Sequence, residues 1–505
     1  MTQVEADNWR RVHWVTPLVW AVKYLVIFTL AIVSQIATNL LDLLGEVGLV
    51  DRTNMSQAQA IALITIATVV IIVVSAGLYS WLTWRNIRYA IGEEAVYYHH
   101  GIIFRKQRYA RLDRIQAVDM VRPLLARFFG LVAIDIQTAG GSGSNVQISY
   151  VKEVRGEQLR NEILARAAGV QARTGTTVLQ QASSGEGSKP GDDSASAHFV
   201  RAPHIDVLTV TTGRLLASVL MGVAAILAIV VVAAVVIIGL AIPSAFLGAV
   251  GASLPLLLVL VGLPWSRFIG AFNFTLQLSP DGIRSQHGLF ETRAQTIPPR
   301  RIQAVTISQP LLWRAFGWWR IEVNIAGYGR HVDSESTATS TMKNTLLPVG
   351  TLAEAMRVVW LVIADPGIPQ QDLAAAIAEG GRVRGFEHVP THVKWIDWFT
   401  YRRRALCVTN TCLVMRDGFF TRTTTIVPHE RIQSVAASQG PIEKLLQIAN
   451  LHAHSVPGPV TPVAKHLPAA RIQQLVWQQA ERARIARASE GPEQWMRRVG
   501  VKPDA

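Results

Sequence analysis

Long uncharged stretches alternate along this chain with charged segments that have strand-like patterns. The longest stretch runs from Leu215 to Ser266, 52 residues without a charge between Arg214 and Arg267. A transmembrane helix needs about 20 largely apolar residues to cross a bilayer core of about 30 Å. The stretch therefore predicts two spans, at about 215–242 and 244–264, with a turn at Pro243.

A second pair of spans is predicted nearer the N-terminus, at about 15–41 and 58–82. Residues 53–84 carry no charge, whereas the earlier segment includes Lys23, whose side chain can extend to the membrane interface. That segment is longer than the apolar part of a signal peptide, and no small-residue cleavage site follows it. We therefore expect four transmembrane helices in two hairpins.

One sequence motif occurs three times in the charged segments. An arginine begins a run of the type Arg-Ile-Gln-Ala/Ser-Val, and these arginines are Arg114, Arg301 and Arg431. A glycine lies thirteen residues before each of them, at Gly101, Gly288 and Gly418. A basic residue lies thirteen residues after each, at Arg127, Arg314 and Lys444. Agreement at these fixed offsets predicts one module used three times.

Each copy of the module has short alternating runs separated by turn residues, which is typical of β-strands. Each copy then ends in an amphipathic helix, at about 153–168, 352–363 and 470–487. Strands followed by a capping helix predict a small antiparallel β-barrel or sandwich. The expected fold class is thus an α+β membrane protein with four transmembrane helices and three such domains.

These patterns divide the chain into eight segments. The predicted segments are a tail and first hairpin (1–84), a first domain (85–172), a flexible linker (173–213), a second hairpin (214–265), a second domain (266–366), a linker (367–396), a third domain (397–490) and a tail (491–505).

The repeated residues resemble the bacterial pleckstrin-homology-like domain, type 2. The resemblance rests on the glycine, the Arg-Ile-Gln run and the stretch from Pro123 to Gly130, which recurs from Pro310 to Gly317. The third copy departs from it, since Gln447 stands where the others have glycine. Paired membrane helices with several such domains resemble the YdbT-like membrane proteins of bacteria. The resemblance implies seven strands and a C-terminal helix per domain, and a smaller YdbS-like partner with one such domain.

Charge sets the expected orientation. Half of the residues are hydrophobic, only 17% are charged, and the net charge is +14. Basic residues flank the inner ends of the spans, whereas the loop after the first span carries Asp42, Glu46 and Asp51. By the positive-inside rule, we expect a multi-pass protein of the bacterial plasma membrane with all three modules cytoplasmic. The basic balance favours anionic lipid over nucleic acid as a neighbour.

The repeated arginines and the basic residues after them are the candidate site. Arg114, Arg301 and Arg431 either anchor a strand, which is the structural interpretation, or form a shared surface for lipid head groups or a partner strand. Arg127, Arg314 and Lys444 lie beside aromatic residues such as Phe128, Trp313, Trp318 and Trp319. That combination suits a lipid or partner contact at the membrane interface, although a solvated turn over core aromatics is the alternative.

No pattern in the chain predicts catalysis, a metal or a cofactor. Nucleophile-elbow, phosphate-loop, dinucleotide and zincin motifs are absent from the sequence. Cys407 and Cys412 form a single pair, whereas zinc sites usually need four ligands. His452, His454 and His466 lack a completing carboxylate or cysteine nearby in sequence, so we expect no metal site.

Three modules on one chain favour binding over catalysis. We therefore expect a membrane scaffold or assembly protein that binds a YdbS-like protein or assembles with itself. An anionic-lipid-binding membrane protein, or a component of a transporter or export system, is the alternative. Transport is disfavoured because the second hairpin has no charged residue to line a path.

Overall fold

A computed structural model describes residues 9–19, 74–75, 77–92, 94–101, 106–138, 146–167, 205–279, 282–326, 342–363 and 365–488. The chain divides into two compact units, residues 1–191 and 192–505. Most of the predicted first hairpin, residues 173–204 of the predicted linker and the tail 491–505 lie outside the described residues.

The first unit holds module 1, the copy that contains Arg114. Its first sheet has four antiparallel strands in the order β1 (Arg10–Arg11), β2 (Arg88–Ile91), β3 (Ala95–His100) and β4 (Lys106–Arg111). Three further antiparallel strands follow, β5 (Ile115–Pro123), β6 (Leu131–Thr138) and β7 (Val146–Lys152), with helix α1 (Leu124–Phe128) after β5 and helix α2 (Glu153–Ala167) after β7. Buried residues of β2 to β7 and of α2 form one core, together with Val12 just after β1.

Module 2, the copy that contains Arg301, begins with β8 (Ile205–Thr209). Three helices then interrupt the strands: α3 (Thr212–Leu220), α4 (Val223–Ala241) and α5 (Phe246–Ala271). The remaining elements are β9 (Thr275–Ser279), β10 (Gly282–His287), β11 (Glu291–Ile297), β12 (Ile302–Pro310), β13 (Trp318–Ile325), β14 (Thr345–Thr351) and helix α6 (Leu352–Val362). Strands β8 to β11 are antiparallel neighbours in chain order.

Module 3, the copy that contains Arg431, follows helix α7 (Gln370–Ala378). Its first four strands are β15 (Glu387–His388), β16 (Ala405–Val408), β17 (Cys412–Asp417) and β18 (Thr421–Pro428). Its second sheet has β19 (Ser434–Ser438), β20 (Ile448–His454) and β21 (Val463–Pro468), with helix α8 (Pro441–Leu445) after β19 and helix α9 (Ala469–Ala488) at the end.

The strand register is the same in all three modules once the spacing of the arginines is applied. Val118 faces Ile136 in module 1, Val305 faces Val323 in module 2, and Val435 faces Ala453 in module 3. Because a slip of one residue would turn every side chain to the other face, the shared register means that the copies share one three-dimensional plan. The helices predicted at about 153–168, 352–363 and 470–487 agree with α2, α6 and α9 to within one residue at each end.

Modules 2 and 3 share a sheet. Strand β12 of module 2 pairs with β18 of module 3, and Val305 faces Ile426 in the antiparallel ladder. The result is a seven-stranded sheet in the order β14-β13-β12-β18-β17-β16-β15. The side chain of Asn324 on β13 adds a second link, because it bonds the backbone of Val460 in module 3 in both directions.

Two helices of the second predicted hairpin are long and apolar enough to cross a membrane. They are residues 223–241 and 248–271, and the break predicted at Pro243 is a short 3-10 turn. The first span begins later than predicted. Residues 212–220 form the separate helix α3, whose Leu215 and Ser218 are buried in the protein.

The predicted domain boundaries miss the first strand of modules 2 and 3. Strand β8 lies in the predicted linker 173–213, yet it pairs with β9 on the other side of the hairpin. The predicted linker 367–396 likewise contains helix α7 and strand β15, which pairs with β16. The second hairpin is therefore an insertion between the first two strands of module 2. In module 1, β1 and β2 also pair across residues 12–87.

Candidate functional site

The three repeated arginines occupy one structural position. Each is the last residue of a single 3-10 turn, and the isoleucine after it is extended, with φ between −69° and −78°. That isoleucine begins β5 and β12, whereas β19 begins two residues later, at Ser434. Arg301 and Arg431 are half-buried, whereas Arg114 is exposed. Their placement at a strand start fits the structural interpretation, but whether they also bind a ligand stays a prediction.

The three repeated glycines lie in the turn between the third and fourth strands. Gly101, Gly288 and Gly418 have φ of 109°, 112° and 89°, a conformation that side-chain-bearing residues rarely adopt. A Cβ added at Gly288 would lie 2.0 Å from the carbonyl oxygen of Glu291, and one at Gly418 would lie 1.9 Å from that of Thr421. The backbone of this turn therefore requires glycine.

The basic residues thirteen positions after each arginine lie in the turn that follows the first strand of the second sheet. Arg127 and Lys444 are exposed, and Arg314 is half-buried. The turn ends in the left-handed conformation at Gly130, Gly317 and Gln447, whose φ values are 62°, 63° and 54°. The departure at Gln447 therefore leaves the backbone of the turn unchanged.

A contact at the membrane interface would require the aromatic residues beside these turns to be exposed, but only some of them are. Phe128 is 79% exposed, but Trp313 is only 2% exposed and Trp319 only 3%. The indole N–H of Trp313 donates to the backbone carbonyl of Ser218 at 3.1 Å. The burial of Trp313 against helix α3, which leads into the hairpin, fits the alternative in which core aromatics lie beneath the turn, whereas a contact of Arg314 with lipid or a partner stays a prediction.

Trp313 contributes one contact between module 2 and the helix that leads into the hairpin. An ion pair adds another, since Arg214, at the start of α3, contacts Glu354 of helix α6 with a shortest distance of 3.0 Å. Glu354 also accepts from the backbone N–H of Thr351 and so completes a capping box at the start of α6. These contacts hold helix α3, which leads into the hairpin, against the turn after β12 and against helix α6 of module 2.

A cavity of about 950 Å³ opens between the hairpin and the sheet shared by modules 2 and 3. Its apolar wall includes Val219 of α3, which leads into the hairpin, and Leu260 and Pro264 of the hairpin helix α5. Its polar wall includes Arg267, Arg320 and Lys465, together with Glu322 and Asp417. An apolar wall facing basic groups is the arrangement that accepts an amphiphile with an anionic head.

Arg320 is one of the basic groups that line this cavity. Its guanidinium lies 5.1 Å from the ring centroid of Trp313, a cation–π contact. Burial lowers its pKa, the nearby Glu322 carboxylate raises it, and the positive charge of Arg267 lowers it further. Two neighbouring cations at the wall would be stabilised by an anionic ligand.

Sequence reasoning missed the aromatic residues of module 3. Trp395, Trp398 and Phe399 lie between β15 and β16, and Phe419 and Phe420 lie in the β17–β18 turn. All five are exposed. Arg314, which was predicted as a lipid or partner contact, contacts this group. Its guanidinium donates to the carbonyl of Phe419 and lies 5.8 Å from the Phe419 ring centroid. The close succession of aromatics at 395–399 was the available signal.

The cysteine and histidine candidates have ordinary surroundings. Cys412 is buried, which raises the pKa of its thiol to about 12, and Cys407 is half-buried with a raised pKa. The rings of His452 and His454 stack with centroids 5.9 Å apart, and His452 bonds the hydroxyl of Ser438. Within the ranges that the structure describes, no three His, Cys, Asp or Glu residues are grouped as a metal site requires.

Comparison with known families agrees with the repeated fold. The family described as "Bacterial PH domain" matches residues 40–167, 205–363 and 371–483, which together cover most of the chain. The chain belongs to the bacterial PH domain family. The second match begins at residue 205 and thus includes β8, as the sheet does.

A curated relative extends the comparison to the membrane segments. The chain is 22% identical over 407 residues to the UPF0699 transmembrane protein YdbT of Bacillus subtilis strain 168, a match that covers 72% of this chain and 78% of the relative. No solved structure matches significantly. Together with the two apolar helices, this relative identifies a membrane protein that carries bacterial PH domains.

The β19 edge of the last PH domain is open. In the described part of the chain, β19 is the outer strand of its three-stranded sheet, and only β20 pairs with it. Ser434, Ala436, Ala437 and Ser438 are exposed, whereas the equivalent β12 residues 304–308 are buried except for the half-buried Thr306. Strand β12 is buried because β18 pairs with its edge. Strand β19 is the equivalent strand of module 3, and within the described residues no strand pairs with the equivalent edge.

Proposed function

We propose that this membrane protein is a multivalent scaffold on the cytoplasmic face of the plasma membrane. Its PH-like modules bind protein rather than perform catalysis. The observation that carries the proposal is the pairing of β12 with β18, in which the second sheet of one module accepts the fourth strand of the next. Strand addition of this kind is a general mode of protein recognition.

The composition of β19 suits it to accept a further strand. Its sequence, Ser-Val-Ala-Ala-Ser, has no proline and no charge. Edge strands that must stay unpaired usually carry proline or charged residues, which prevent association with another strand. An edge that is exposed and lacks them is therefore a binding edge.

The occupant we propose is strand β4 of a second copy of this chain. Strand β4 is an outer strand of its own four-stranded sheet and is the module 1 equivalent of β18. The β3–β4 register matches the β17–β18 register, because Tyr98 faces Arg108 as Met415 faces Thr425. Copies joined through β19 and β4 would associate head to tail, and helical anchors would raise their effective concentration in one membrane.

The β12–β18 ladder specifies the register of the proposed contact. Val305 faces Ile426 and Ile307 faces Thr424. Transferred to the equivalent positions, Val435 should face Tyr109, Ala436 should face Arg108, and Ala437 should face Gln107. Each of these pairs can be tested separately.

Cysteine cross-linking tests this contact directly. Two differently tagged chains are produced together, one with Ala437→Cys and the other with Gln107→Cys, and membranes are oxidised. We expect a disulfide-linked product that carries both tags. The pair Ala437→Cys with Arg108→Cys is the matched control, since residues 107 and 108 face opposite sides of the strand. Equal cross-linking of both pairs, or none of either, would contradict the register.

A charge swap gives an independent readout. Ala436→Lys would place a positive charge opposite Arg108 and should weaken assembly, because like charges directly across a ladder are destabilising. Ala436→Glu should preserve assembly, and Arg108→Glu should restore it in the Ala436→Lys chain. The measurement is particle size in mild detergent. A small single-module membrane protein that co-purifies with the native chain and is lost in the Ala436→Lys chain would assign the edge to that protein instead of a second copy.

The cytoplasmic orientation belongs to the same proposal. It rests on the basic flanks of the spans and the acidic loop at 42–51. A cysteine introduced at Ser184 should resist a membrane-impermeant thiol reagent in intact cells, while one introduced at Glu46 should react. Ready labelling at Ser184 would reverse the orientation.

A second candidate function is recognition of an anionic lipid in the 950 Å³ cavity. The apolar hairpin wall and the basic residues Arg267 and Arg320 favour it. Lipids retained by the purified protein can be identified by mass spectrometry. The variant with Arg267→Gln and Arg320→Gln should retain less anionic lipid, whereas Arg300→Gln, whose side chain does not line the cavity, should retain as much as the native chain.

A further inference from the structure

Modules 2 and 3 differ in what they insert between their first two strands. In module 2 the insertion between β8 and β9 contains the three helices α3, α4 and α5. In module 3 the insertion between β15 and β16 is the short segment 389–404, which has one 3-10 turn at Thr391–Val393. The short segment thus occupies the place from which module 2 extends into the membrane.

The short segment and the β17–β18 turn together carry an exposed aromatic surface, here named the aromatic platform: Trp395, Trp398, Phe399, Phe419 and Phe420. Trp395 is 69% exposed, Trp398 74% and Phe420 64%. The rings are contiguous, with Trp398 stacked on Phe399 at 5.2 Å and Phe399 lying 5.3 Å from Phe419 and 5.9 Å from Phe420. A contiguous exposed apolar patch of this kind marks an interaction site.

The base of the platform is rigidly held. Val389, Val393 and Tyr401 are buried against Ile448 of β20. The Asp397 carboxylate lies between the platform tryptophans in sequence but is itself buried, where it pairs with the Arg404 guanidinium and with Nδ1 of His466 at 2.7 Å. The apolar and ionic contacts of the segment therefore point inward, and its aromatic rings are left outside.

Arg403 secures the end of the same segment. Its guanidinium donates to the carbonyls of Ile377 and Glu379 at the end of helix α7 and to the hydroxyl of Thr424 on β18. Because a helix C-terminus carries unpaired carbonyls and a partial negative charge, a buried arginine is well placed there. The segment is thus fixed to both the helix and the sheet.

The platform lies beside the inner end of the hairpin. Phe420 lines the same cavity as Val219, Leu260 and Pro264. Arg314, in the turn after β12, contacts Phe419 through its guanidinium. The exposed apolar surface of module 3 is therefore continuous with the region where the hairpin of module 2 enters the membrane.

We propose that module 3 rests on the membrane through the aromatic platform, which inserts into the interface of the bilayer in place of a helical hairpin. The ligand is the lipid bilayer itself. Tryptophan and phenylalanine with basic neighbours suit the head-group region, where the rings enter the acyl boundary and cations meet lipid phosphates. Lys394 and Arg402, both exposed, supply that charge beside the rings.

Depth-dependent quenching in vesicles tests the insertion. The full chain is reconstituted with a polarity-sensitive fluorophore on a cysteine introduced by Trp398→Cys or Phe420→Cys. Cys407→Ala removes the half-buried native thiol, and the buried Cys412 stays in place. Asn410→Cys is the matched control, because the β16–β17 turn lies at the opposite end of these strands. We expect blue-shifted emission and strong quenching by lipids spin-labelled near the head group at positions 398 and 420, and aqueous iodide to quench mainly the label at 410.

Charge variants complete the test without altering the rings. Lys394→Glu with Arg402→Glu should reduce lipid quenching at position 420 in vesicles that contain anionic lipid and leave it unchanged in zwitterionic vesicles. Equal quenching at 398, 410 and 420 would overturn the proposal. So would iodide access at 398 and 420 equal to that at 410, and protection of these two sites only when another protein is added would assign the platform to that protein.

Discussion

The PH domains that contain β8–β14 and β15–β21 share one strand plan but use different insertions at the same point. Between its first two strands, module 2 inserts the apolar hairpin and module 3 inserts residues 389–404. Each insertion is fastened by the residue just before the repeated glycine. In module 2, Nδ1 of His287 bonds the carbonyl of Gly270 at the end of α5, at 2.8 Å. In module 3, Asp417 accepts from Nε of Arg404 at 2.7 Å.

This difference teaches that the strand plan does not determine what a module inserts between its first two strands. The register, the 3-10 turn and the positive-φ glycine are common to both modules. The residue before the glycine is free to vary with the insertion: a neutral histidine suits a helix-end carbonyl, and a carboxylate suits an arginine. The conserved geometry of the turn therefore serves the fold, and the neighbouring position serves the insertion.

The largest effect is expected where the two modules are most alike. Gly288→Val and Gly418→Val each place a Cβ about 2 Å from a carbonyl oxygen at a backbone φ that valine rarely adopts. We expect each to destabilise its module by about 4 kcal/mol or more. Hydrogen exchange in detergent should show lost protection in β10 and β11 for the first variant and in β17 and β18 for the second.

A matched control is available in the same chain. Gly381→Val alters a glycine that has nothing within 4 Å of its added Cβ and no positive φ. It should change the protection of β17 and β18 little. If Gly418→Val is no more harmful than Gly381→Val, the turn does not require glycine.

Acid should destabilise modules 2 and 3 in different pH ranges. Burial lowers the pKa of His287 to about 4 from an ordinary 6.5, despite its hydrogen bond to Gly270. The folded state therefore favours the neutral ring. Its stabilisation is complete above pH 6.5 and is lost as the pH falls toward 4, up to about 3 kcal/mol once the pH is below both pKa values.

The insertion of module 3 also contains the buried Asp397, which pairs with Arg404 and responds to pH in a lower range. Burial alone would raise the pKa of the Asp397 carboxyl, but the hydrogen bond from His466 and the charge of Arg404 lower it below its ordinary 3.8. Its stabilisation is present above 3.8 and is lost only as the pH falls through the lowered pKa. At pH 5, amides of β10 should therefore exchange faster while those of segment 389–404 do not. The His287→Gln variant should remove the response of β10, and an unchanged response would place its cause elsewhere.

The repeated arginines should matter where they are partly buried. Arg301→Ala and Arg431→Ala should each lower the free energy of unfolding by about 1–3 kcal/mol, because the guanidinium contributes bonds at a strand start. Arg114→Ala should have a smaller effect, within about 0.5 kcal/mol, since Arg114 is exposed. The measurement is thermal unfolding of the purified variants. A fully stable Arg301→Ala chain that no longer binds a partner or lipid would favour the ligand-binding interpretation.

The repeated turns and the apolar hairpin were predictable from local sequence patterns. The spacing of Arg301 and Arg431 predicted equivalent turns, and the uncharged run from Leu215 predicted the hairpin and its break at Pro243. Pairing across long distances was not predictable in this way. Strand β15 has only two residues, too few to show a strand period. Strand β8 ends at Thr209 and its partner β9 begins only at Thr275, so no local pattern links the two strands.

The exposure of single aromatic residues was also beyond sequence reasoning. Trp313 and Phe316 lie in the same turn, yet Trp313 is buried against α3 and Phe316 is 54% exposed. Which of them faces the protein depends on where the hairpin returns to the sheet, and that is a tertiary contact. The same dependence explains why the platform at 395–399 was missed.

The smallest expected effect concerns the turn where the two modules differ by one residue. Gly317 and Gln447 have φ of 63° and 54°, so glutamine adopts a conformation that costs a non-glycine residue about 1 kcal/mol. Gln447 contributes through its backbone, since its N–H donates to Lys444 and its carbonyl accepts from Ala469. Gln447→Gly should therefore stabilise module 3 by about 0.5 kcal/mol, the strain relieved less the extra entropy of an unfolded glycine. Gln447→Ala, which keeps the Cβ, should leave stability unchanged, and Gly317→Gln should destabilise module 2 by a similar amount. Denaturant unfolding of the three variants in one detergent measures these differences, and a loss of stability in Gln447→Gly would mean that the glutamine side chain itself makes a stabilising contact.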